Sequence, residues 1–167
     1  YMETFVYGNV LVEPDGAGNS QIVHYGGDGS YHSMYRTGTL YFYNNTVVST
    51  RSGNTTLLRL SLGEVSADVR NNVLRTTAGG NYLAACSGTG QVTLADNWLP
   101  TGWRETHESS MTDGQVNDDG NLEGETPGFV DENGQDFTLA ESSICVDGAG
   151  DLASGAPQVS CHYGIHQ

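Results

Sequence analysis

The sequence contains no lysine, and its six positive side chains are all arginine, against which stand 20 acidic residues. The resulting formal charge of -14 argues against nucleic acid and anionic lipid as partners, because both are polyanions. Long apolar runs are missing as well. No stretch reaches the length of about 18 residues that a membrane helix needs, so we expect no membrane insertion. The helical period is also absent, since apolar residues alternate or form short runs between turn residues.

Cysteine is too scarce for a disulfide scaffold, with three residues in a chain of 167. Cys86 lies in an apolar segment, and we expect it to be a small buried residue. Cys145 and Cys161 lie in a loop-rich tail, where pairing and free thiols both remain open. A bridge between them would indicate an oxidising compartment.

A repeat built around asparagine is the main feature that the sequence does contain. A short strand, a bend with asparagine and a second strand recur, with the asparagine at positions 9, 45, 72 and 97. A third strand follows each unit after a turn rich in Gly, Ser and Asn. The intervals are 36, 27 and 25 residues, so the first repeat contains an inserted loop.

Three short strands per repeat predict an all-β fold, a right-handed parallel β-helix or solenoid. Because coils stack at about 4.8 Å, equivalent asparagines lie above one another and their amides can bond as a ladder. We expect one domain over residues 1–167, with inserted loops at about 24–38 and 104–127 and a closing coil over 128–167.

The N-terminal end of this solenoid has apolar strands and no polar cap. An open coil there would leave unpaired backbone groups and apolar surface. We therefore expect the chain to be a fragment of a longer solenoid. Missing N-terminal coils or another chain would cover the open end.

The asparagine repeat and the closing segments carry a family resemblance. The Asn-Asn-Thr-Val-Val run at 44–48, and the closing segments 128–131, 136–139 and 142–147, resemble the C-terminal portion of right-handed parallel β-helix repeat proteins of the pectate lyase-like superfamily. The chain departs from the closing pattern at Ser143, where the family has proline. The resemblance implies an exported protein, at the cell surface, outside the cell or in the periplasm.

The resemblance specifies activity less closely than fold. The superfamily includes polysaccharide lyases and glycoside hydrolases, so it implies carbohydrate as the partner, either an acidic or a neutral glycan. It also includes adhesins and tailspikes. A non-catalytic glycan-binding or structural solenoid is therefore the alternative, and whether the chain is an enzyme stays open.

The first inserted loop holds the best candidates for chemistry. A lyase of the family neutralises a uronate carboxylate and abstracts the neighbouring proton. Arg36 suits the first task, and His32, Tyr35 or Arg36 the second. Packing of the loop onto the solenoid is the alternative interpretation. The candidate ligand-binding residues are His24, Tyr25, Asp28, Tyr31 and, as a sugar platform, Trp103.

The second inserted loop is rich in oxygen donors. Asp113, Asp118 and Asp119 are candidate ligands for Ca²⁺, which prefers carboxylate and amide oxygens. Their spacing differs from that of the EF-hand loop, so a solvated acidic loop remains the alternative. We predict no required cofactor.

Overall fold

The computed structural model describes residues 2–27, 29, 32–108 and 115–157. These residues contain short β-strands, a single 3-10 helix at His32–Met34 and no α-helix. No helix in these ranges is long and apolar enough to cross a membrane. The strands are β1 (Glu3–Tyr7), β2 (Val10–Glu13), β3 (Gln21–Tyr25), β4 (Gly38–Tyr43), β5 (Thr46–Ser49), β6 (Thr55–Leu60), β7 (Val65–Arg70), β8 (Val73–Thr76), β9 (Leu83–Gly88), β10 (Gln91–Ala95), β11 (Trp98–Pro100), β12 (Val116–Asp119), β13 (Leu122–Gly124), β14 (Phe129–Asp131) and β15 (Asp136–Leu139).

Three parallel sheets contain most of these strands, which confirms the prediction of an all-β protein with parallel strands. Sheet A has the order β1-β4-β7-β10-β12, sheet B the order β2-β5-β8-β11-β13, and sheet C the order β3-β6-β9. The chain visits A, B and C in turn and then returns to A. We call each such passage a repeat. In the fourth repeat a parallel bridge between Arg104 and Ala84 extends sheet C.

The core lies between the three sheets. Strand β7 shows why, because its apolar residues alternate with polar ones, and only the apolar set is buried. Leu40, Leu57, Leu74 and Leu94 are each at most 1% exposed and belong to one apolar cluster. The hairpin β14–β15, which is antiparallel, lies outside this cluster. Phe129 and Leu139 from it pack against the outer side of sheet B, on Val73 and Trp98.

The asparagine ladder is present. Asn9 donates its Nδ2 to Oδ1 of Asn45 at 3.0 Å, Asn45 donates to Asn72 at 3.0 Å, and Asn72 to Asn97 at 2.8 Å. The ladder continues for one step that the sequence analysis missed, since Asn97 donates to Asn121 at 2.9 Å. The ladder fixes the register of sheets A and B at every repeat.

The left-handed backbone of each bend belongs to the residue before the ladder asparagine, not to the ladder asparagine itself. The residues with positive φ are Asn44 (55°), Asn71 (56°) and Asp96 (54°), and glycine occupies the same place at Gly8 and Gly120. Asn, Asp and Gly adopt this conformation most readily. The prediction of a bend at asparagine is therefore shifted by one residue.

Sequence analysis predicted one inserted loop over about 104–127, but part of this segment forms β-strands. Strand β12 pairs with β10, and β13 pairs with β11, so residues 116–124 form the first two strands of a fifth repeat. Sequence analysis missed them because β12 reads Val-Asn-Asp-Asp, and its acidic residues hide the apolar alternation of the earlier repeats.

Candidate functional site

A groove of about 250 Å³ lies on the outer face of sheet A. Side chains of neighbouring strands form its floor, and residues 153–155 of the C-terminal segment form one wall. Most of the floor side chains carry hydroxyl, amide or carboxylate groups. The lining residues are Thr39, Tyr41, Ser66, Ala67, Asp68, Gln91, Val92, Thr93, Asn117, Ala153, Ser154 and Gly155.

Parallel register arranges the floor into two columns. Neighbouring strands place Tyr41 beside Asp68, Asp68 beside Thr93, and Thr93 beside Asn117. The second column runs through Thr39, Ser66 and Gln91. Because parallel strands are spaced by about 4.8 Å, hydrogen-bonding groups recur along each column at that interval.

Aromatic rings extend the first column toward β1. Phe5 stacks on Tyr41 with ring centroids 5.2 Å apart, and in the adjacent column Tyr7 stacks on Tyr43 at 4.9 Å. Phe5 remains 37% exposed. Partly exposed aromatic rings beside polar groups suit a ligand with both apolar and hydroxyl surfaces.

The charges along the groove are mostly negative. Burial raises the pKa of the Tyr41 hydroxyl, and the carboxylates of Glu3 and Asp68 raise it further, so Tyr41 stays protonated at neutral pH. Arg70 lies beside the groove and donates from Nε to Asp68 at 2.8 Å, and its NH1 is 3.9 Å from Asp96. This cation is therefore already engaged by two carboxylates.

The wall of the groove is attached to sheet A through the bend of the third repeat. Asn71 donates from Nδ2 to the carbonyl of Gly150 at 2.9 Å, and its Oδ1 accepts the amide of Gly150 at 2.9 Å. Gly155 lies against the Tyr41 hydroxyl so closely that a Cβ would overlap it. A larger residue at 155 would have to displace either the wall or Tyr41.

The first inserted loop borders a different cavity, of about 320 Å³, on the side of sheet C. Gly27, Gly29, Arg59, Ser61, Leu62, Gly88 and Glu108 line it. His24 lies next to this cavity, since its Nε2 is 2.6 Å from Oγ of Ser61. Sequence analysis named His24 but missed Arg59, Ser61 and Glu108. The register of His24 with Arg59 in sheet C was the signal that could have found Arg59.

Tyr35 and Arg36, two of the loop residues proposed for catalysis, have different neighbours. Tyr35 packs over the cavity-lining Gly27 and Gly29, because a Cβ at Gly27 would overlap its ring and a Cβ at Gly29 would overlap its hydroxyl. Arg36 instead donates from NH1 to Thr4 Oγ1 at 3.2 Å, beside sheet A. Tyr25, a predicted ligand-binding residue, is only 4% exposed and donates its hydroxyl to the carbonyl of Thr37.

Several predicted site residues fall outside the described residues. Asp28, Tyr31 and Asp113 are among them, as is Cys161 of the predicted pair. The backbone of His32 belongs to the 3-10 helix, and its side chain lies outside the description.

The remaining acidic candidates belong to strand β12. Asp118 accepts the Nδ2 of Asn121 at 2.5 Å, which ties it to the asparagine ladder. Asp119 follows it and is paired in register with Ala95. Among the described residues no group of three His, Cys, Asp or Glu side chains is placed to hold a metal ion.

Trp103 is not among the residues that line the groove or the cavity. Its indole donates from Nε1 to Glu123 at 2.9 Å, and the half-buried ring packs against the central apolar cluster. Next to it the Arg104 guanidinium lies 4.4 Å from the ring centroid of Tyr82, an exposed residue. An exposed sugar platform at this corner would therefore be Tyr82, and Arg104 already covers one of its faces.

Both described cysteines are buried thiols. Cys86 is fully buried, as expected, and burial raises its pKa to about 11. Burial also raises the pKa of Cys145, whose Sγ lies 3.6 Å from the carbonyl oxygen of Pro127. Neither thiol lines the groove or the cavity.

Comparison with known proteins adds no relative: no family model matches the chain, and no match was found among curated proteins or among solved structures.

Proposed function

We propose that the chain is part of an exported, right-handed parallel β-helix of the pectate lyase-like type, and that its sheet A groove binds a neutral polysaccharide. The ordered passage through sheets A, B and C, with the asparagine ladder at each return, supports a solenoid. Right-handedness is the general rule for parallel strands joined by crossovers. A location at the cell surface, outside the cell or in the periplasm rests on the family resemblance.

The observation that carries the binding proposal is the pair of polar columns on the floor of the groove. A polysaccharide presents hydroxyl groups at regular intervals along one direction. Columns of hydroxyl, amide and carboxylate groups at the strand spacing offer matching donors and acceptors. The rings of Phe5 and Tyr41, stacked at the end of one column, add apolar surface for contact with the sugar rings.

The local charge favours a neutral glycan over a polyuronate. Asp68 lines the groove and Glu3 lies in the register position beside Thr39. Arg70, which lies beside the groove, is held by Asp68 and Asp96. An anionic chain would meet net negative charge here and across the whole protein.

Binding without turnover fits the groove better than catalysis. Glycoside hydrolases use two carboxyl groups that flank the scissile bond. Among the residues described as lining the groove, Asp68 is the only carboxylate, and Arg70 already engages it. Binding needs only the hydrogen-bonding and aromatic groups that the lining supplies.

The proposal is tested by affinity electrophoresis in gels containing a neutral β-glucan or, separately, polygalacturonate. Retardation by the neutral polymer is expected, with Thr93→Val weakening the affinity by about fivefold through loss of one hydrogen bond. Thr46→Val, a half-buried threonine in sheet B, is the matched control and should bind as the parent does. Equal affinities of the two variants, or retardation by polygalacturonate alone, would contradict the proposal.

An enzymatic function is the second candidate, and the cavity beside the first inserted loop favours it. Arg59 and Glu108 line that cavity, and His24 lies next to it, so a cation, a carboxylate and an imidazole share one surface. Incubation with each polymer, with and without Ca²⁺, should be followed by reducing-end release and by ultraviolet absorbance of unsaturated uronate. Turnover that His24→Ala or Arg59→Gln abolishes, while the fold is kept, would favour the enzyme.

A further inference from the structure

The asparagine ladder has a direction. At each step the asparagine of one repeat donates both its backbone N and its Nδ2 to a single acceptor, the Oδ1 of the asparagine in the next repeat. Asn72 Oδ1, for example, accepts both donors of Asn45 at 2.9 and 3.0 Å. The same pair of bonds occurs from Asn72 to Asn97 and from Asn97 to Asn121. Every interior Oδ1 is thus filled by the preceding repeat.

The last step of the ladder is closed within the chain. Asn121 donates its Nδ2 to the carboxylate of Asp118 and to the carbonyl of Leu94. Asp118 occupies the register position of Leu94, where Phe42 and Val69 stand in earlier repeats. An exposed carboxylate at this position ends the apolar stack, because burying its charge under another repeat would be costly.

The first step is open. Among the described residues nothing donates to Asn9 Oδ1, and β1, β2 and β3 pair with neighbours on one side only. The apolar residues of the first repeat are also incompletely covered. Val6 and Leu11 are half-buried, whereas their register partners Phe42 and Val47 are at most 2% exposed.

We infer that this edge, formed by β1, β2 and β3, is a docking surface for one more strand–asparagine–strand repeat. The asparagine of the incoming repeat donates its N–H and Nδ2 to Asn9 Oδ1, and its strands pair in parallel with β1 and β2. Four interfaces of this kind already exist within the chain, so the docked repeat continues an established geometry. The rings of Phe5 and Tyr7, which stack on Tyr41 and Tyr43, lie at the edge that the docked repeat would cover.

A second copy of the chain, docked edge to edge, fits the edge of β1, β2 and β3 less well than an additional repeat does. Such an interface brings the same patch of both copies together, so each presents the acceptor Asn9 Oδ1. The Asn9 amide cannot serve as the donor, because its Nδ2 already donates to Tyr7 O at 2.9 Å and to Asn45 Oδ1 at 3.0 Å. The acidic side chains Glu3 and Glu13 of the two copies would also approach one another.

The inference is tested by adding one repeat to the N-terminal side of the chain. A duplicate of residues 38–64 is fused directly before Met2, where register makes it the preceding repeat. Amide hydrogen exchange in β1 should slow by about tenfold or more, and the fused chain should stay monomeric in sedimentation equilibrium. The matched control carries Ala in place of the duplicated Asn45, and most of the protection should be lost. Unchanged exchange in β1, or a control as protected as the fusion, would overturn the inference.

A peptide experiment covers the case in which the fusion does not fold. A synthetic peptide of residues 38–60 is added to the unmodified chain, beside the same peptide with Asn45→Ala. Slower exchange in β1, β2 and β3 with the first peptide only is the expected result. Equal effects of the two peptides, or none, would overturn the inference. Protection of β1 in the chain alone, together with a dimer in sedimentation, would identify a second copy as the occupant instead.

Discussion

Asn72→Ala is the substitution that tests the ladder most directly. Asn72 is fully buried at the centre of the ladder. Its Nδ2 donates to Phe42 O, Arg70 O and Asn97 Oδ1 at 2.8 to 3.0 Å. Its Oδ1 accepts the backbone N and the Nδ2 of Asn45. Alanine removes all of these bonds and leaves a small polar cavity.

The expected cost follows from the groups that are left behind. The backbone N–H of Asn45 loses its acceptor in a buried place, and such an unsatisfied group costs about 1–3 kcal/mol. The Nδ2 of Asn45 keeps its bond to Val6 O at 3.0 Å, so its loss is partial. Together with the bonds lost on the donor side, the free energy of unfolding should fall by about 3 kcal/mol.

Urea unfolding, followed by the fluorescence of Trp98 and Trp103, measures this change. A loss of about 3 kcal/mol lowers the midpoint by about 1.5 M for a slope near 2 kcal/mol/M. Asn9→Ala is the matched control, since Asn9 is exposed at the end of the ladder and its loss should cost about 1 kcal/mol or less. If Asn72→Ala cost no more than Asn9→Ala, the ladder would not be a main source of stability.

Three further predictions concern other parts of the fold. At the bend, the backbone of Asn44 is left-handed, with φ of 55°. Asn44→Gly should therefore change the free energy of unfolding by less than about 0.5 kcal/mol, whereas Asn44→Val should lower it by about 1–2 kcal/mol. Equal costs of the two substitutions in urea unfolding would contradict this. Burial raises the pKa of Cys86 to about 11, so as the pH rises above about 9 the unfolded chain loses this proton while the folded protein keeps it. The free energy of unfolding should therefore fall between about pH 9 and 11, and Cys86→Ala should make that decline less steep. Arg75 donates to Glu132 and to the carbonyl of Glu125, both at 2.8 Å. Arg75→Gln should therefore speed amide hydrogen exchange in β14 and β15 with little change in β7. Equal acceleration in both regions would show a global loss of stability instead.

The strands and their order could be predicted because the recurring asparagines align the repeats with one another. Asn9, Asn45, Asn72 and Asn97 mark equivalent places, and the apolar alternation before and after each one fixes which side chains face the core. The fifth repeat escaped prediction because its strand β12 is acidic. Asn121 ends a Gly-Asn pair like that at Gly8-Asn9, and this was the signal that could have found it.

The groove could not be predicted from local sequence. Its floor comes from four strands far apart in the chain, and its wall from residues 153–155. Once the ladder asparagines are aligned, Tyr41, Asp68 and Thr93 fall into one outward column, so the floor is recoverable from the repeat. The wall is not, because it depends on the hydrogen bonds between Asn71 and Gly150, which lie 79 residues apart.

Two adjacent positions at each bend meet different physical demands, and this explains the residues found there. The first needs a left-handed backbone, which Gly8, Asn44 and Asp96 all supply. The second needs a side chain that donates and accepts at once along the stacking direction, and the amide of asparagine does so with two separate atoms, Nδ2 and Oδ1. The first position can therefore vary, and at Asp96 it carries a carboxylate toward Arg70. The second is asparagine in all five repeats, so exchanges among glycine, asparagine and aspartate should be tolerated at the first position, whereas replacing a buried asparagine at the second should be destabilising.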